Sequence, residues 1–391
     1  MRIRIPLSAP DVSEADIDAV VSVLRTARLS IGPKMEEFER AVADYAGVRH
    51  GVAVSSGTAG LHLSLRALGI GEGDEVILPS FTFIAAAHVL LYERAIPVFA
   101  DIDAVTLNLD PEKLEELITP RTRGIVVAHT FGYPADLRGI LDIALRHGLP
   151  VLEDACEAIG AESHGRRAGG IGQVGVFAFY PNKPITTAEG GMVVTDDGEL
   201  AETIRALRNQ GRKDTDGWSD HRLLGYNYRL SELHCALGAS QMLRLDEILR
   251  RRMDRALRYS RELQSIPEVM APPLVASDGR VCCFAFVVRL TDEFTQADRD
   301  VIHEYLTEHG IGCGRYFAPI HRQPLYARFA ERTRGGLPVT EHVSVRTLAL
   351  PFFNAITDGQ IAEVCETLRE GIGRARRSGA HSTAADAGCS R

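Results

Sequence analysis

The chain has 391 residues, 45% of them hydrophobic and 25% charged. That is the balance of a globular protein, and the length exceeds one ordinary core, so two domains are expected. A formal net charge of −8 disfavours nucleic acid as a partner, and no apolar run reaches the ~20 residues a membrane-spanning helix needs. The N-terminal run through Leu7 has no signal-peptide core, and seven scattered cysteines form no Cys-x-x-Cys pair. A cytoplasmic protein with reduced thiols is the expectation, with Cys282-Cys283 as core packing.

In chain order, Gly51–Ser55 reads as a strand and Thr58–Leu68 as a helix with Leu61, Leu65 and Leu68 on one face. The β-rich runs Glu75–Pro79 and Ile96–Ala100 flank a helix over Ile84–Tyr92. Pro111–Ile118 follows as a helix with proline in its first turn, then a strand (Gly124–Ala128), a helix (Leu137–His147) and a strand (Pro150–Leu152). Val174–Phe179 and Met192–Thr195 are further strands. Val/Ile-rich strands without alternation, separated by helices, predict an α/β fold whose mostly parallel sheet is covered on both faces. Strand order has no short-range signal.

After Leu230 the texture changes. Ser231–Ser265 is one long helical pattern with Ser231 as N-cap and a solvated arginine-rich face from Arg244 to Arg261. A β-rich run (Val281–Leu290), a helix (Asp298–His309), a short strand (Gly312–Tyr316) and a last helix (Gln360–Gly371) make a smaller α+β domain. The expected division is 1–245 for the large domain, 246–373 for the small one and a disordered Ser/Ala/Gly-rich tail over 374–391.

Four signals carry chemistry, each after a strand. Ser55-Ser56-Gly57-Thr58-Ala59-Gly60 opens a helix, where small residues and free N–H groups suit a phosphate, although a tight βα turn explains the string equally well alone. Phe81-Thr82-Phe83 offers a ring to stack on a flat ligand, or ordinary core. Asp154 closes a buried strand at its carboxyl end, where open α/β sheets place ligand groups; an N-cap is the plain alternative. Lys183 lies between Pro181 and Pro184, which stiffen the turn and bias the lysine away from helical geometry. Surface lysines need no such rigidity, whereas one that attacks a carbonyl from a fixed direction does. Thr186-Thr187-Ala188-Glu189-Gly190-Gly191 then suggests backbone passing close to something. Phosphate cradle, stacking ring, carboxylate and lysine are together the parts that pyridoxal 5′-phosphate requires.

These residues resemble the DegT/DnrJ/EryC1/StrS group of sugar aminotransferases, pyridoxal-phosphate enzymes of fold type I, from about Pro6 to Gly371. The motifs are Ser56-Gly57-Thr58-Ala59, Gly73-Asp74-Glu75-Val76-Ile77, Glu153-Asp154-Ala155, Lys183 with Thr186 to Gly191, and Gly225-Tyr226-Asn227-Tyr228-Arg229. The resemblance implies that Lys183 holds the cofactor covalently and moves the substrate proton. It implies that Asp154 pairs with the pyridine nitrogen, that Gly57, Thr58 and Ala59 bind the phosphate, and that Phe83 stacks on the ring. It further implies that Asn227 reaches the phosphate of a partner subunit, giving a homodimer with shared active sites, and that His321 and Arg229 serve the substrate side.

Two positions depart from the common pattern. Glu157 stands where a Gln or His touches the cofactor's phenolic oxygen, a place a carboxylate fills only with a proton or a bridging donor. Ala178 stands where a serine donates to the phosphate, a loss of about 1 kcal/mol. Lys183 disfavours the dehydratase relatives, which carry histidine there. The implied reaction moves an amino group from L-glutamate to a keto nucleotide sugar. The string after Lys183 favours C4 of a 4-keto or 4-keto-6-deoxy sugar, with loops Leu29–Pro33 and Trp218–Leu224 also shaping the pocket. Alternatives are a C3 sugar or keto-cyclitol aminotransferase and, from another class, a non-catalytic regulatory or binding protein on the same fold.

Overall fold

The computed structural model of the chain describes residues 3–212, 221, 223–330 and 336–386. At its centre are seven strands: β1 (His50–Val54), β2 (Glu75–Pro79), β3 (Ile96–Ala100), β4 (Thr122–Ala128), β5 (Val151–Asp154), β6 (Val174–Ala178) and β7 (Gly191–Thr195). They form one sheet in the order β1-β7-β6-β5-β4-β2-β3. β7 runs antiparallel to both neighbours, and the other pairs are parallel. Six strands therefore present their carboxyl ends along one edge. Ala128 pairs with Asp154, Asp154 with Val176, and Ala178 with Gly191, so three chain-distant strand ends meet there.

Helices cover both faces, as continuous apolar strands require. α1 (Glu14–Leu24) and α2 (Pro33–Ala46) precede the sheet; α3 (Gly57–Ala67), α4 (Ala85–Tyr92), α5 (Leu137–His147) and α6 (Gly198–Arg208) connect or follow strands; α7 (Glu232–Met242) and α8 (Leu245–Leu263) close the layer. On one side Leu61, Leu65, Val89 and Ile204 pack against Val76, Leu78 and Leu152. Strand residues of opposite parity, Ile77, Ile125 and Val127, meet Ile140 and Leu114 on the other. Beneath β1 and β7, Phe38 and Val42 of α2 join Cys235 of α7 and Ile248 of α8. α2 is anchored at its start by the buried Glu232 carboxylate, which accepts from the N–H groups of Gly32, Lys34 and Met35.

A second core surrounds a three-stranded sheet of Val269–Met270, Phe286–Leu290 and Thr347–Leu350, packed by α9 (Gln296–Glu308) and the last helix, Asp358–Asp386. α8 joins the two cores: Leu245 and Leu249 pack below the large sheet, while Ala256, Tyr259 and Leu263 enter the small one. The N-terminal Ile5 also belongs to the small core and bridges Ile311.

Several elements differ from expectation. Pro111–Ile118 is two 3₁₀ turns, Pro111–Lys113 and Glu115–Leu117; Pro120 holds the chain extended just beyond and leaves too little length for an α-helix. The long pattern from Ser231 is two helices. Ser231 does cap the first, but the chain kinks at Leu243-Arg244, where the Arg244 guanidinium turns to the buried Asp16 at 2.9 Å. The arginine face is solvated only in part, for Arg252 is buried and donates to the carbonyls of Cys283 and Phe284. Val281–Leu290 is strand only from Phe286, and Gly312–Tyr316 supplies a single bridge at Gly314. The last helix continues past Gly371 through the segment expected to be disordered: Ala375 is fully buried, and Arg374 and Arg376 pair with Glu308 and with Glu268 and Glu293. Residues 387–391, and Trp218, Ser219, Asp220 and Arg222 of the expected pocket loop, lie outside the described residues.

Candidate active site

The carboxyl edge of the sheet opens into a cavity of about 500 Å³ lined by Ser56, Gly57, Thr58, Thr82, Phe83, Asp154, Glu157, Ala178 and Lys183. Its floor is the start of α3. Ser56 caps that helix by accepting from the Ala59 N–H at 3.1 Å, which leaves the other first-turn N–H groups and the helix dipole facing the space. Gly57 has to be glycine: a Cβ there would lie 2.7 Å from the Ala178 Cβ and 2.8 Å from the Cys156 Sγ.

Lys183 sits at the head of a knitted hairpin. Phe179 N–H donates to Gly190 O and Thr187 N–H to Phe179 O, while the Thr186 hydroxyl donates to the same carbonyl. A Cβ on Gly191 would fall 2.8 Å from the Gly57 nitrogen, so the glycine pair lets the lysine hairpin pass against the α3 turn. The Lys183 ammonium lies 3.6 Å from Glu157 Oε1 and 4.0 Å from the centre of the Phe284 ring. Glu157 Oε2 accepts the Phe131 N–H at 2.9 Å. Burial pushes the Glu157 carboxyl above its usual range against the pull of Lys183 and Phe131, and Asp154 adds to the push. Cys156, beside both acids, has its thiol pushed well up by burial, so it is an inert wall and no nucleophile.

Asp154 is 7% exposed at the strand end. Behind it stands a fully buried pair: His129 Nε2 meets Glu153 Oε2 at 2.9 Å, and the Ala135 N–H donates to His129 Nδ1 at 3.0 Å. Nδ1 is therefore the acceptor, and the ring's N–H points at Glu153. Glu153 also accepts the N–H groups of Gly169, Ile171 and Gly172. The residue next to Asp154 in the chain thus fixes the strand end from behind.

Phe83 lines the cavity and is 56% exposed. Ala178 lies against Gly57 with no hydroxyl to give. Ala59 faces inward from the first turn and holds the cap. Asn227 and Arg229 are not among the lining residues of their own cavity. Asn227 is exposed and bridges Asn209, and Arg229 donates to Asn209 Oδ1 at 3.0 Å. His321 also lies outside the cavity wall, buried between Ser80 and Glu341, so a direct substrate contact by His321 is not what the geometry shows. Sequence reasoning missed the opposite wall, Phe284, Arg315, Tyr316 and Phe317 from the later part of the chain, together with Asn182 and His129. No local motif surrounds those wall residues; only the fold brings them in.

The chain from residue 10 to 369 matches the family model described as the DegT/DnrJ/EryC1/StrS aminotransferase family. The chain belongs to this family. The aminotransferase is 40% identical over 366 residues to the GDP-perosamine synthase of Caulobacter vibrioides, covering 93% of this chain and 97% of that one. It is 38% identical over 376 residues to the spore coat polysaccharide biosynthesis protein SpsC of Bacillus subtilis, covering 94% and 96%. Among solved structures, the aminotransferase TlmJ from Streptoalloteichus hindustanus superposes with a TM-score of 0.88 at 33% identity over 95% of this chain and 99% of that one.

The residues of this aminotransferase fit pyridoxal phosphate. The α3 cradle has no room for a Cβ at Gly57, Asp154 and Lys183 line one space, and the buried Asn182 Oδ1 and Thr130 Oγ1 on its walls have no hydrogen-bond partner among the described residues. Gly57 and Thr58 would hold the phosphate, whereas the Ala59 N–H is already taken by the Ser56 cap; Asp154 would meet the ring nitrogen, Phe83 the ring face and Lys183 the aldehyde carbon.

Proposed function

We propose that this aminotransferase moves the amino group of L-glutamate to C4 of a 4-keto or 4-keto-6-deoxy nucleotide sugar. The observation that carries the reading is the meeting of Lys183, Asp154 and the α3 N-terminus in one cavity at the carboxyl edge of the sheet. A nucleotide sugar is supported by the likeness to a protein named GDP-perosamine synthase. C4 is supported by Thr186-Thr187-Ala188 after the lysine.

Pyridoxal phosphate supplies an electron sink that stabilises a carbanion next to the amine. The chain's residues do the rest. Asp154, a carboxylate at a buried strand end, keeps a proton on the ring nitrogen and so maintains that sink. The Lys183 amine would take the α-proton from the amino donor and give it to the carbon that bears the transferred amine, and for the sugar the same proton transfers would run in the opposite direction. Glu157 stands 3.6 Å from the Lys183 nitrogen, and the rings of Phe284, Tyr316 and Phe317 close the other wall of the space. The same arrangement disfavours the non-catalytic alternative, which has no use for a lysine held between Glu157 and Phe284.

The position of Asn227 supports a homodimer with shared sites: it does not line its own cavity and is exposed, on a segment hydrogen-bonded to α6 and to Ser55 just after β1. Mixing inactive Lys183→Ala and Asn227→Ala chains and recovering activity tests that. The reaction itself is tested by loading the enzyme with L-glutamate, offering a panel of keto sugars and keto-cyclitols, and locating the new amine by NMR. Amination at C3 or of a cyclitol would favour the alternative substrates.

A further inference from the structure

His321 is held in a chain of three side chains that spans the two walls of the cavity. Ser80 follows β2, is fully buried, and begins the segment Ser80-Phe81-Thr82-Phe83. Its Oγ lies 2.7 Å from His321 Nδ1 and accepts the His321 backbone N–H at 3.2 Å; its carbonyl accepts the Ile320 N–H at 3.0 Å. His321 Nε2 meets Glu341 Oε1 at 3.1 Å. Arg322 is 2.7 Å from the same Glu341 oxygen and, as the largest cause, holds that carboxyl below its usual range. An ionised Glu341 only accepts, so Nε2 carries the ring proton, Nδ1 is the acceptor and the Ser80 hydroxyl donates to it. Every polar atom of the imidazole is thus committed within the protein.

The two segments so joined are the two sides of the cavity. Thr82 and Phe83, two and three residues beyond Ser80, line it from the large domain; Tyr316 and Phe317, a few residues before His321, line it from the small domain. Phe81 packs edge-on against Phe317 at 5.9 Å and Phe131 at 6.1 Å. Glu341 is itself fixed, because its helix (Pro338–Ser344) begins with the N–H groups of Val339 and Thr340 donating to Asp101 at the end of β3.

We propose that His321 is a positioning residue that locks the Phe83 side of the cavity to the Tyr316–Phe317 side through Ser80, and that it does not contact the sugar substrate. The inference rests on the reading of this cavity as the cofactor and substrate site. A displacement of this lock would shift Phe83, which lines the space that both half-reactions share, and would alter both halves by a common factor, whereas a substrate contact would alter only the sugar half.

The test uses the full-length enzyme loaded with pyridoxal phosphate and the variants Ser80→Ala, His321→Ala and His321→Asn. Two quantities are read: the visible circular dichroism of the bound cofactor, and single-turnover rates with L-glutamate and with a GDP-linked 4-keto-6-deoxyhexose. Ser80→Ala and His321→Ala are expected to weaken the dichroism and to slow both half-reactions by a common factor of about five- to thirtyfold, because each removes the Ser80–His321 side-chain hydrogen bond that joins the two walls. Asn places an acceptor at the level of Nδ1, so His321→Asn is expected to recover most of the rate. A His321→Ala enzyme that slows only the sugar half-reaction, with Ser80→Ala behaving as wild type, would overturn the proposal. So would unchanged dichroism in both. If His321→Ala fails to fold, Ser80→Ala decides alone. If the wild-type enzyme accepts glutamate but none of the sugars, the functional reading fails while the dichroism and the glutamate rate still test the lock.

Discussion

The two sides of the cavity were built in different ways. The large-domain side is made of strand ends and the turns directly after them: Gly57 after β1, Asp154 ending β5, Lys183 after β6. Each residue owes its place to a few neighbours in sequence, and the parallel sheet aligns the ends along one edge. The small-domain side, Phe284 and Arg315 to Phe317, is made of irregular chain between two sheets and owes its place to long-range packing. The residues proposed to carry the reaction stand on the strand-end side, and the rings assembled from a distance form the facing wall. That division suits a family in which one reaction serves many substrates.

Substitutions can break or sharpen this contrast. The largest effect is expected from Lys183→Ala, which should lower transamination at least about a thousandfold while leaving the thermal transition near wild type; a variant at normal rate would remove the lysine from the chemistry. Gly57→Ala comes next. The added methyl meets Ala178 and Cys156 and should weaken cofactor retention by about ten- to a hundredfold, measured by equilibrium dialysis. Opposite them, Phe284→Leu keeps an apolar but smaller side chain and removes the π face under the ammonium, and an about two- to fivefold loss of rate is expected. A comparable loss from Gly57→Ala and Phe284→Leu would erase the distinction between the two walls.

Ala178→Ser should act in the favourable direction, because a new donor beside the α3 turn tightens phosphate retention by up to about fivefold. The smallest effect concerns pH. The Glu157 carboxyl is held above its unfolded value near 4.5, so the folded state binds more protons and stability falls as pH rises from about 4.5 through the raised folded value. Glu157→Gln removes that term. The apo-enzyme variant should lose less of its melting temperature than wild type between pH 5 and pH 8, by on the order of a degree.

Much of the rigid side was legible in the sequence because its signals are local. Prolines flank Lys183, glycines mark where the hairpin passes the helix turn, and apolar runs mark buried strands. The strand order was not legible, since parallel neighbours such as β5 and β6 are set by packing across the sheet. Nor was the environment of His321: its motif suggested a substrate role, but only the folded chain brings Ser80, 241 residues away, within hydrogen-bond distance. The α1 and α2 helices went unread, and their anchors, Asp16 to Arg244 and Glu232 to the start of α2, are equally distant pairs. The last helix was read as ending early because its Ser/Ala/Gly composition resembles a tail, while Ala375 and Arg376 dock on the small core.

Lys183, which shares one cavity with Asp154 and lies between Glu157 and Phe284, is proposed to transfer glutamate's amino group to C4 of a nucleotide-linked keto sugar. The most direct measurement takes enzyme converted by L-glutamate, freed of excess donor, and mixed with a GDP-linked 4-keto-6-deoxyhexose. The cofactor spectrum is followed while the product is read by NMR. The account predicts return of the starting spectrum with one equivalent of a 4-amino sugar, and neither event in Lys183→Ala. A returning spectrum with nitrogen at C3, or a wild-type cofactor that glutamate never changes, would contradict it.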